Sequence, residues 1–130
     1  MDRERVALHP FLAGIPDDEL DAVASAASER EFATGETLIS EGDFGHSLFL
    51  VEEGTADVSI DGTSIGRVGP GDLIGEVAVL ASGRRTASVV AASPIRAISF
   101  FKRDVWALER AAPEAARRLR AAIEEQAGSA

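Results

Sequence analysis

Cysteine is absent from this chain, which rules out a disulfide framework and a thiolate metal site together and makes a reducing compartment, the cytoplasm, the expected location. Histidine is nearly absent. His9 lies in the N-terminal segment and His46 in a loop before a strand, so the clustered His and carboxylate ligands of a metalloenzyme are missing. Basic residues are outnumbered: 13 Lys and Arg against 22 Asp and Glu give a formal net charge of −9, with a pI near 4.6. This balance argues against nucleic acid as a partner, because that affinity rests largely on neutralised phosphates. Long apolar runs are also missing. The start, Met1-Asp2-Arg3-Glu4-Arg5, is charged, and neither a signal peptide nor a membrane segment is predicted.

What remains is a length of 130 residues, which suits a single domain, 1–130, burying about two thirds of its unfolded surface. The middle reads as β structure. Ser47 to Glu52, Thr55 to Ile60, Thr63 to Val68, Thr86 to Ala91 and Ile95 to Phe101 are short, rich in β-branched or aromatic residues, and bounded by turn residues. Asp61-Gly62 calls for a hairpin turn of the primed type, pairing Ala56, Val58 and Ile60 with the strand that begins at Thr63. Gly42, Gly54, Gly69 and Gly71 punctuate the rest. Many short strands at this spacing indicate a sandwich or a barrel.

Helices bracket these strands. Pro16 stands near a helix start, acids follow it, and Leu20, Val23, Ala24 and Ala27 recur at helical spacing. Lys102 to Arg110 suits a helix carrying Val105, Trp106 and Leu108, with Trp106 expected in the core. Pro113 breaks it, and a last helix is predicted from Glu114 to about Gln126, with Ala115, Leu119, Ala122, Ile123 and Gln126 as one stripe.

The most informative stretch is Ile74 to Val89, I-G-E-V-A-V-L-A-S-G-R-R-T-A-S-V. It places a short helix start ahead of an arginine pair. Free N–H groups and the positive end of the helix dipole favour an anion, and a guanidinium fork fits phosphate oxygens in pairs. In so acidic a chain, positive charge must be concentrated locally to hold an anion. Of the pair, Arg85 is the candidate and Arg84 is read as solvated, since strand neighbours point to opposite faces. Glu76 at the helix start would repel a phosphate, so it must face a hydroxyl-bearing side of the ligand. A phosphorylated sugar presents both sides.

The order of Gly75, Glu76, Ala78, Leu80, Arg85, Ala87 and Val89 resembles the signature of the cyclic nucleotide-binding domains of cAMP-responsive bacterial regulators, protein kinase regulatory subunits and cyclic nucleotide-regulated channels. Ile74 replaces the usual aromatic and Arg84 the usual proline, the second as in channel-type members. Glu41-Gly42-Asp43 and Glu52-Glu53-Gly54 are turns also familiar in that family. The resemblance implies a mainly β fold with flanking helices: an eight-stranded jelly-roll β-barrel with an N-terminal helix over about 11–101, a short phosphate-binding helix within it, and a C-terminal helical lid over 102–126. It implies cAMP or cGMP as ligand, with no cofactor and no metal. Arg85 would pair with the cyclic phosphate and Glu76 with the ribose 2′-hydroxyl. Backbone N–H groups of Gly75, Val77 and Ala78 would help hold the ribose phosphate, and Thr86 would reach a syn guanine. Leu119 and Ile123 are candidates for a lid over the base, and packing of the same residues regardless of ligand is the competing reading.

The resemblance further implies a regulatory sensor and no enzyme, acting by movement of the C-terminal helix. Its partners would be a cyclic nucleotide, an unidentified protein effector or fused domain, and a second copy through the C-terminal helix. Two alternatives belong to other classes: a protein-interaction module that keeps the barrel without responding to nucleotide, and a cupin-like metalloenzyme. The chain carries no helix-turn-helix segment after the last helix, so its output is expected to lie in another protein or in a longer chain.

Overall fold

The computed structural model describes residues 1–9, 12–42, 47–74 and 87–129, with the side chains of 102 and 122–129 excepted. Two compact units make up the chain, Met1–Ser28 with Phe100–Ala130, and Glu29–Ser99.

The second unit is built on strands, two of which run past its ends. They are β1 (Ser28–Phe32), β2 (Thr37–Ile39), β3 (Ser47–Glu53), β4 (Ala56–Ile60), β5 (Thr63–Val68), β6 (Leu73–Ile74), β7 (Ser88–Ala91) and β8 (Ile95–Phe101). Among the described residues these form two four-stranded sheets, in the orders β1-β8-β3-β6 and β2-β7-β4-β5. Alternation along the strands explains the core. Phe32, Phe49, Val51, Ile74, Ile95 and Ala97 of the first sheet meet Ile39, Ala56, Val89 and Ala91 of the second in one buried cluster. The Phe32 and Phe49 rings meet edge to face at 5.8 Å, a favoured arrangement for their quadrupoles. β3 and β8 are buried on both faces, with Leu48, Leu50 and Ile98 almost inaccessible.

The Asp61-Gly62 turn forms as expected. Both residues have positive φ, 51° and 79°, the combination that a primed turn requires, and Ile60 pairs with Thr63. The ladder then shifts between Val58 and Ser59: Ser59 opposes Ser64, Val58 opposes Gly66, and Ile65 is the extra residue. Such a bulge twists the edge strand away from further pairing, and an Arg67 to Asp57 ion pair at 2.8 Å closes its far end.

Expected strand boundaries move in three places, the first being β3, which runs on to Glu53. Thr55 precedes β4, and β7 begins at Ser88, with Ala87 in a bend. Three strands were not anticipated. β1 reads Ser-Glu-Arg-Glu-Phe with only its last residue buried, while β2 and β6 have three and two residues, too few to show a period of two.

The first unit holds α1 (Arg3–Val6), α2 (Asp17–Ala26), α3 (Lys102–Ala111) and α4 (Pro113–Ser129). Acids fill the first turn of α2 and Leu20, Val23 and Ala24 are buried, as the spacing requires. Ala27 is buried too, but as an extended residue beyond the helix. Val105 and Leu108 are buried on α3. Trp106 is not: it is 56% exposed, against the expectation of a core residue. Helical geometry gives the reason, because Val105 and Leu108, three apart, define the buried face and Trp106 lies about a third of a turn away from Val105. Pro113 ends one helix and opens the next, with Ala112 between them in a non-helical conformation.

Candidate functional site

Gly75, Glu76, Val77, Ala78, Arg85 and Thr86 lie outside the described residues, as do Arg84, the short helix expected near Gly75, Phe11, Asp43 and His46. What is described is the frame at either end of that stretch. Ile74 closes β6, an edge strand of its sheet, pairing with Phe49. Ser88 opens β7, an interior strand of the other sheet, pairing with Ser59 of β4. Residues 75–86 therefore connect the two sheets. Ile74 and Val89, at the two ends of the motif, are both buried in the core between them, so each end of the stretch is held by packing.

Polar contacts fix the re-entry point. The Glu41 backbone N–H donates to Ser88 Oγ at 3.0 Å, and its Oε1 accepts from the Asp61 N–H at 3.0 Å. One residue thus ties the segment after β2 to the start of β7 and to the β4–β5 turn. Sequence reasoning noted the Glu41-Gly42 turn without assigning this role; the partners are 47 and 20 residues away, and no local pattern announces them.

At the opposite end, the β3–β4 turn is locked to the β7–β8 connection. Thr55 N–H donates to Ser93 Oγ at 3.0 Å, and Ala92 N–H donates to the Thr55 carbonyl at 2.9 Å. Gly54 has φ 90°, and a Cβ there would fall 2.2 Å from the Pro94 carbonyl oxygen. Only glycine permits this approach. Glycine at the end of the Glu52-Glu53-Gly54 turn is therefore required by packing.

Of the lid candidates, Leu119 is 5% exposed and the side chain of Ile123 lies outside the described residues. Ala115, on the same stripe, is buried. Glu114 receives hydrogen bonds from Arg117 Nε at 3.0 Å and Arg118 Nε at 3.1 Å. Arg117 first, then Arg118, holds its carboxyl down to about 2, and Glu114 in turn raises Arg117. Among the described residues no group of three or more His, Cys, Asp and Glu could hold a metal ion, and no helix is long and apolar enough to cross a membrane.

Comparison with known proteins decides the family. The family model for the cyclic nucleotide-binding domain matches residues 29–111. The chain belongs to the cyclic nucleotide-binding domain family. It is 32% identical over 121 residues to the cyclic AMP receptor protein of Thermus thermophilus, covering 88% of this chain and 55% of that protein. It is 37% identical over 95 residues to a cAMP-dependent protein kinase regulatory subunit of Colletotrichum orbiculare, covering 72% of this chain and 24% of that one. Among solved structures, the regulatory subunit of a cAMP-independent protein kinase A from Trypanosoma cruzi, bound to guanosine, superposes with a TM-score of 0.74 at 31% identity, covering 88% of this chain and 43% of that chain. The chain thus spans about half of the Thermus relative and about a quarter of the Colletotrichum one. The mainly β architecture of two sheets with flanking helices is that of this cyclic nucleotide-binding family.

Proposed function

We propose that this domain is a sensor of cAMP or cGMP. The observation that carries the reading is that the family match over 29–111 encloses Glu76 and Arg85 in motif order, on a stretch whose ends are anchored in two different sheets. Arg85 pairs with the cyclic phosphate, Glu76 accepts from the ribose 2′-hydroxyl, and the N–H groups of Gly75, Val77 and Ala78 complete the cradle. Thr86 admits guanine as well as adenine. In this reading the two sheets close as a jelly-roll barrel, and 1–130 works as one domain. Nucleotide is bound and not turned over.

Signalling follows from differential affinity. If nucleotide binds more tightly to one arrangement of α4 than to another, it shifts the population by that difference and by no more. Leu119 and Ile123 are the proposed base contacts. Because Leu119 is buried, reaching a base requires it to exchange one packing for another. The effector is a further protein, a fused domain or a second copy through α4, and the setting is the cytoplasm.

Calorimetric titration with cAMP and cGMP tests the reading. Arg85→Ala leaves a phosphate half-paired and is expected to weaken binding by about 2 to 4 kcal/mol, roughly 30- to 1000-fold. Near-wild-type affinity in that variant refutes the pose. The guanosine-bound Trypanosoma subunit supports a second reading, in which the pocket takes a nucleoside without phosphate. In that case guanosine binds the wild type, and Arg85→Ala leaves its affinity unchanged.

A further inference from the structure

The last helix lacks a cap of its own. Ala112, which precedes α4, has no acceptor side chain, and Pro113, its first residue, has no N–H. The Ala116 N–H reaches the Ala112 carbonyl at 2.8 Å, so the N–H groups of Glu114 and Ala115 need partners outside the helix. Both donate to one carboxylate oxygen, Glu19 Oε1, at 2.8 and 3.0 Å. Glu19 lies in the first turn of α2, a helix whose Leu20, Val23 and Ala24 are buried. A carboxylate is favoured there by the helix dipole as well as by the hydrogen bonds. A second tie runs alongside, from Arg118 Nη1 to the Ala13 carbonyl at 3.0 Å.

We propose that Glu19 is a positioning residue that supplies the missing N-cap of α4 and thereby fastens the first turn of that helix to α2. The start of α4 then goes where α2 goes and does not pivot alone about Ala112 and Pro113. The consequence for signalling rests on the proposed function: a nucleotide that displaces α4 must carry α2 with it or break this contact. The cap itself stands on the hydrogen bonds and is tested without nucleotide.

Hydrogen exchange of the whole chain is the first measurement. Glu19→Ala is expected to speed exchange at the Glu114 and Ala115 amides about fivefold to tenfold, the usual effect of losing a cap. Glu19→Gln, which keeps an acceptor oxygen, is expected to retain most of the protection. Adding Ala112→Ser to Glu19→Ala provides a local cap and is expected to restore protection without restoring the tie to α2. The second measurement separates these effects. The chain has no cysteine, so spin labels at Asp18→Cys and Ala121→Cys, both exposed, report the α2 to α4 distance directly. A single narrow distance is expected with Glu19 intact, and a broad distribution in Glu19→Ala and in the Glu19→Ala, Ala112→Ser combination. Unchanged amide exchange in Glu19→Ala overturns the cap, and a narrow distance in the combined variant overturns the tie. With saturating cAMP the wild-type distance is expected to hold, and a shift of several ångströms overturns joint movement. If neither cAMP nor cGMP binds, the sensor reading fails and the nucleotide-free results still decide the role of Glu19.

Discussion

Gly54 and Trp106 show how far the demands on single residues diverge. A methyl group at Gly54 would meet the Pro94 carbonyl at 2.2 Å and would also occupy an unfavourable φ of 90°. The tightest contact is with a backbone oxygen, which cannot swing away as a side chain does, so the β3–β4 turn must move as backbone. Gly54→Ala is expected to lower stability by more than about 2 kcal/mol in chemical denaturation, combining left-handed strain with a steric clash. Trp106 is the reverse case. It is half exposed on α3, so Trp106→Gln is expected to change stability by less than about 1 kcal/mol. As the only tryptophan, it also reports its own position: its fluorescence in the folded protein should be readily quenched by acrylamide. Strong shielding from quencher would contradict the exposed placement.

Elements were legible in proportion to their length and to how locally they are specified. The Asp61-Gly62 hairpin could be read directly because a two-residue primed turn needs positive φ twice, which few residue pairs tolerate. Gly62→Val is expected to cost about 1 to 2 kcal/mol through the same requirement, measurable by thermal unfolding. α2 and α3 were legible from acids or apolar residues at helical spacing, although helical spacing alone did not tell which side of α3 Trp106 would take. β2 and β6 were illegible because so few residues carry no period, and β1 because polar residues fill an exposed strand. The site divides in the same manner. The candidate motif, from Gly75 to Val89, can be read from the order of the residues, whereas the side-chain contacts within each unit are long-range. Glu41 reaches Ser88, and Glu19 reaches Glu114 across 95 positions. The one local hint of the latter is an alanine followed by proline at a helix start, where a hydroxyl or carboxylate would ordinarily stand.

For the molecule as a whole, acid is the informative variable. Glu114 titrates at about 2 in the folded chain against 4.5 ordinarily, held down by Arg117 and then Arg118. A carboxyl whose folded pKa is lowered favours the folded state fully above its unfolded value, and that contribution drains away as pH falls from about 4.5 toward 2. The stability gap between the wild type and Glu114→Gln should therefore be constant from neutral pH down to about 5 and shrink below it. Urea midpoints at pH 7, 5, 3.5 and 2.5 check this, and a gap that widens in acid would contradict the ion-pair assignment.

Among the described residues, one ladder ends at Ile74 and another begins at Ser88, and the pairings on both sides are made by residues outside 75–86. In the proposed reading, the segment 75–86 is in this sense an interchangeable insert. Grafting the corresponding stretch of a relative between these two anchor points should rewrite ligand preference while leaving the scaffold's strand alignment intact.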